Sequence, residues 1–157
     1  MRRRPGWVDD RGETLVEVLV AVVILGVAGV AVVAGLQMSV AASDIHRKET
    51  TGGAYARSYA EAIQEYVAAG HYAPCAASGD YAPSTVGFSG ALPAGYTASQ
   101  AAAKRVPPDG GPAGVCSGND TGVQQVQVTV ASNDGRASEK LVLLLRKPCD
   151  ATMAVCS

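Results

Sequence analysis

Two carboxylates stand where carboxylates are costly. Glu13 and Glu17 occupy the string "GETLVEVLVA" from Gly12, directly before the nineteen residues Val18 to Leu36, which carry no polar side chain. A charged side chain costs about 2.5 to 3.5 kcal/mol at the centre of a membrane helix and less near the interface, so such a residue usually has a partner. The other reactive groups are four thiols, Cys75, Cys116, Cys149 and Cys156, all after the apolar run. An even number on one side of a span predicts disulfides in an oxidising space. No C-x-x-C or H-x-x-x-H spacing occurs and His46 and His71 are far apart, so no metal site and no cofactor are expected. Asn133-Asp134-Gly135 reads as a turn, since the other ligands of a calcium loop are missing. "GFSGA" at 87–91 lacks the spacing of a nucleophile elbow, and neither a phosphate loop nor a dinucleotide fingerprint is present. An enzyme is not predicted.

The element that positions the two glutamates is a helix. Nineteen residues at about 1.5 Å each cover roughly 28 Å, close to the hydrocarbon thickness of a bilayer. Four arginines against two aspartates in the first twelve residues, with the cysteines beyond the run, predict a cytoplasmic N-terminus and an extracytoplasmic remainder. "SVAASD" at 39–44 offers small residues to a signal peptidase, but the apolar region is about twice the length of a secretory signal core. Beyond residue 12 the chain is mildly acidic and has no basic patch interleaved with aromatics, so no direct contact with nucleic acid is expected.

The order Gly12, four intervening residues, Glu17 and then an uninterrupted apolar helix resembles the class III signal of type IV pilins and type II secretion pseudopilins. The resemblance covers about residues 12 to 40, with "TLVEVLVAVVILGV" matching from Thr14 onward and "GLQ" at 35–37 similar to the minor pilin and pseudopilin branch. It implies cleavage after Gly12 by a prepilin peptidase on the cytoplasmic face and methylation of the new amino terminus. It also implies that Glu17 attracts the amino terminus of a neighbouring subunit, setting axial register. Where the family usually has Phe after the cut, this chain has Glu13, a carboxylate beside the amine. The implied partners are the peptidase, other pilin or pseudopilin subunits, the filament assembly platform and, before assembly, membrane lipid.

Small residues along the span, Gly26, Gly29 and Gly35 with Ala31 four residues before the last, would let helices approach closely. Past the span, Tyr55, Tyr59, Ala62, Ile63 and Tyr66 recur at three- and four-residue intervals and predict one buried helix face, with Arg57 and Glu61 opposite it. "TTGG" at 50–53 predicts a kink or break, and Gly70 a stop. Residues 71–122 read as ordered loops with one strand near 96–106, and Cys75 with Cys116 would tie them. The alternation of Val126, Val128 and Val130, the turn "SNDGR" and the run "EKLVLLLRK" predict an antiparallel hairpin lying on the helix. Cys149 and Cys156, seven apart, can close a small loop as the second pair, and this pairing is preferred among the three that four cysteines allow.

The fold expected is therefore α+β, a long N-terminal helix on a small antiparallel sheet, similar to a pilin. Its divisions are a leader at 1–12, a transmembrane helix at 13–43, a helical spine at 44–70 and a disulfide-stapled head at 71–157. A filament subunit anchored once in the cell (inner) membrane is the functional expectation. The competing ones are a membrane-tethered binding module, for which Glu17 is incidental, and a secreted hydrolase or inhibitor released near Ala42.

Overall fold

The computed structural model describes residues 13–118 and 120–149. Its first element, α1, is an α-helix over Glu13–Ala68. The chain divides into two compact units, Met1–Asp44 and Ile45–Ser157, each considered by itself.

Among the described residues of the first unit none is buried. Every described side chain from Leu15 to Val40 that is large and apolar is exposed, from 51% at Val20 to 77% at Leu25 and Met38. One 18-residue window of this helix reaches a mean hydropathy of 2.9, long and apolar enough to cross a membrane.

In the second unit the helix meets a sheet. The strands are β1 (Tyr96–Gln100), β2 (Lys104–Arg105), β3 (Gly114–Val115), β4 (Val123–Ser132) and β5 (Ser138–Arg146), with a single 3₁₀ turn at Ser89–Ala91. All pairings are antiparallel. β4 is the organising strand. β5 pairs along one edge from Val123↔Arg146 to Ala131↔Ser138. β1 lies opposite residues 128–132 and β2 opposite 124–125 on the other edge, with β3 added to β2.

The alternation along β4 decides which face is buried. Gln124, Val126, Val128, Val130 and Ser132 are buried, while the residues between them are half-buried on the other face. Leu143 and Leu145 of β5 share the buried face, set against Val126 and Gln124. Onto it α1 lays Ala56, Tyr59, Ala60, Ile63 and Val67, all buried, with Tyr55, Ala62 and Tyr66 at the margin. Arg57 and Glu61 are exposed. The tyrosine stripe is thus the core face of the helix, and the arrangement is α+β and pilin-like.

Two expectations need correction. α1 runs through Thr50–Gly53 without a break, because this turn is held by the hairpin tip described below. The single strand expected near 96–106 is two strands, separated at Ala101–Ala103 where Ala103 N–H donates to the Ala76 carbonyl instead (2.8 Å). After Ala68 the helix closes with Gly70 at φ +97°, its N–H donating to the Val67 carbonyl and that of His71 to the Tyr66 carbonyl. This is a Schellman closure, which needs the left-handed conformation that glycine adopts without strain.

Candidate functional site: the N-terminal segment and the head that follows it

The site suggested by the sequence begins at residue 12. Gly12 lies outside the described residues, and so does the side chain of Glu13; the helix itself starts at Glu13. Positions 13 and 17 are one turn apart, about 6 Å along the axis. Glu17 is exposed and is followed immediately by the exposed apolar run. At about 100° per residue, Gly26 and Gly29 fall on one side of α1 and Ala31 and Gly35 on nearly the opposite side. A Cβ added to any of the three glycines would meet nothing within 4 Å, so the chain itself does not fill these shallow places.

The family model of the prokaryotic N-terminal methylation motif matches residues 8–33. The chain carries a class III prepilin-type signal. That signal belongs to type IV pilins and pseudopilins, which are structural proteins, and it implies processing by a prepilin peptidase and assembly with other pilin-type subunits. The uncovered apolar helix is a candidate membrane anchor for such a precursor. No curated protein and no solved structure matches the chain significantly.

The head of this prepilin-type chain is stapled and internally satisfied. Cys75 and Cys116 form a disulfide with Cα atoms 5.4 Å apart, closing a separation of 41 residues. Cys149 is also disulfide-bonded, and Cys156 lies outside the described residues. Cys75 is the one described non-glycine residue with positive φ, at 51°. Its loop is fastened by side-chain amides. Gln124 Oε1 accepts from Ala76 N–H (3.1 Å), and its Nε2 donates to the Ala73 carbonyl (3.0 Å) and to Tyr81 Oη (3.3 Å). Gln100 Oε1 accepts from the N–H groups of Gly79 (2.9 Å) and Tyr81 (3.2 Å), and its Nε2 donates to the carbonyls of Ala77 (3.2 Å) and Ala101. Tyr59 Oη donates to the Tyr81 carbonyl (2.6 Å) and Ala73 N–H to Tyr81 Oη (2.9 Å). Among the described residues no buried side-chain nitrogen or oxygen lacks a partner. Such satisfaction is what a buried polar network needs to stabilise rather than destabilise a core.

These tyrosines are built to stay neutral. Burial pushes the Tyr59 phenol up to about 12. Burial, and then the Asp120 carboxylate accepting its hydrogen bond at 3.0 Å, push Tyr72 up as well. Burial likewise raises Tyr81, against the opposing hydrogen bonds from Ala73 and Gln124. Among the described residues no group of three His, Cys, Asp or Glu side chains that could hold a metal ion occurs. Asp134, at the hairpin tip, is the opposite case. The Lys48 ammonium, then the Ser132 hydroxyl and the Arg136 N–H, hold its carboxyl well below the usual carboxylate range.

Gln100 and Gln124 went unnoticed in the sequence. The one signal for Gln124 was parity: it stands two residues before Val126 and so on the same face as Val126, Val128 and Val130. Gln100 had none.

Proposed function

We propose that this chain is a subunit of a type IV pilus-like or type II secretion-like filament, of the minor pilin or pseudopilin kind. In this reading a prepilin peptidase cuts after Gly12 and the amine of Glu13 becomes the mature terminus. The helix then leaves the bilayer for a bundle of similar helices. The carboxylate of Glu17 pairs with the amino terminus of a neighbouring subunit, and inside an apolar bundle only one stagger brings the two charges together. Glu13 adds a negative charge beside that amine and weakens its pull on Glu17, so this subunit attracts its neighbour less strongly than one with an apolar first residue. Gly26, Gly29, Ala31 and Gly35 give two neighbours a close approach from opposite sides. The head stands on the extracytoplasmic side, where its disulfides form.

The observation that carries this reading is the methylation motif at 8–33 running without interruption into an apolar helix that the rest of the described chain leaves bare. The experiment is the intact mass of the full chain from membranes that contain a prepilin peptidase, beside the Gly12→Ala variant. Loss of residues 1–12, abolished by the substitution, is expected. A chain that keeps its N-terminus, or one that begins near Ser43, would overturn the reading.

A further inference from the structure

Thr50, Thr51, Gly52 and Gly53 are four consecutive poor helix formers in the interior of α1. Each glycine disfavours the helix about fivefold relative to alanine. What keeps this turn helical is tertiary contact, and it comes from the tip of the β4–β5 hairpin. Asp134 Oδ2 accepts from Lys48 Nζ at 2.5 Å, a contact across 86 residues of sequence. The carboxylate is aimed by its other oxygen, which accepts from Ser132 Oγ (2.7 Å) and Arg136 N–H (3.2 Å). Tyr96 Oη donates to the Lys48 carbonyl (3.3 Å).

The two glycines differ in what they are for. A Cβ on Gly52 would stand 3.2 Å from Glu139 Cγ and 3.9 Å from a Tyr96 ring carbon, so the hairpin's approach uses the missing side chain. A Cβ on Gly53 would meet nothing within 4 Å, and Gly53 does not have the positive φ that would require glycine. Neither packing nor backbone conformation accounts for Gly53. Its remaining physical effect is to make the helix easier to open at this point.

We propose that residues 50–53 are a hinge held shut by the Lys48–Asp134 ion pair. With the pair formed, the turn is helical; with it broken, the turn unwinds while the helix from Tyr59 onward stays packed on the sheet through Ile63 and Val67. The hinge lies within the second compact unit, a few residues after its start at Ile45. This device is independent of the filament reading.

Amide hydrogen exchange of the full chain in detergent micelles tests it, comparing the native sequence with Asp134→Asn, Gly53→Ala and the double variant. Asp134→Asn keeps the hydrogen bonds of the hairpin tip and removes the charge. It is expected to speed exchange of amides 52–57 by about two- to fivefold, the range of a partly exposed ion pair, and to leave amides 60–67 unchanged. Gly53→Ala is expected to slow amides 52–57 by about fivefold in the native background and to restore slow exchange in the Asp134→Asn background. Unchanged exchange at 52–57 in Asp134→Asn would overturn the proposal. So would equal acceleration at 60–67, which would mean that the head loosens as a whole, or a Gly53→Ala variant that exchanges like the native chain.

Discussion

The same helix lives in two environments. Before Asp44 its large apolar side chains are all exposed, whereas from Ala56 to Val67 its inward face is covered by a sheet and by a loop whose polar groups are partnered. Burial of a Leu or Val side chain is worth about 1.5 to 3 kcal/mol, so the second stretch is stabilised by the chain's own fold. The first gains nothing comparable until lipid or other helices surround it. Under the proposed function, a folded head and a bare apolar helix are what a subunit would need to exist singly in a membrane and assemble later.

Substitutions in the two stretches should therefore differ sharply when head stability is followed by denaturant unfolding in detergent. The largest effect is expected from Ile63→Ala, which empties a fully buried site between helix and sheet and should cost about 3 kcal/mol. A cost below about 1 kcal/mol would show that the helix is not part of the head's core. Next comes Gln124→Ala, which strips partners from Ala76 N–H and the Ala73 carbonyl and should cost about 2 kcal/mol. If the cost is instead negligible, water or a rearranged loop has replaced the amide.

A smaller effect should appear with alkali. Tyr59 is neutral in the folded head up to about 12, against an ordinary value of 10.0, so its contribution is complete below pH 10. As pH rises from 10 toward 12 the unfolded chain ionises first, and stability should fall by at most about 1.4 kcal/mol per pH unit for this one group. Tyr59→Phe should flatten that slope, and a slope unchanged by the substitution would assign the alkaline loss to other groups. The smallest effect belongs to the other stretch: Leu25→Ala, 77% exposed, should leave head stability within about 0.5 kcal/mol. A larger shift would mean that the two regions are energetically coupled.

Much of this was legible in one dimension. The processing motif is a local string, the apolar span is a matter of length, the stripe Tyr59–Ile63–Tyr66 shows the helical period, and Val126–Val128–Val130 the strand period. The strand near 96–106 was harder, since "YTASQAAAKRV" has little apolar alternation and its division into β1 and β2 depends on which parts of β4 it meets. The local propensity of the turn at 50–53 points to a kink or short break, yet the helix continues through it unbroken beside the hairpin tip.

The sequence by itself determined that a prepilin-type signal leads into a membrane-length helix, and that an amphipathic helix, a hairpin and paired cysteines follow. These follow from periodicity, length and residue type, which operate within a few residues. Only the tertiary structure decided that Gln124 and Gln100 clamp the Cys75 loop, that Asp134 holds Lys48 and that Gly52 is a contact while Gly53 is not. Those facts join residues 19 to 87 positions apart, and a buried amide or an ion pair gains its value from the partner that folding places beside it.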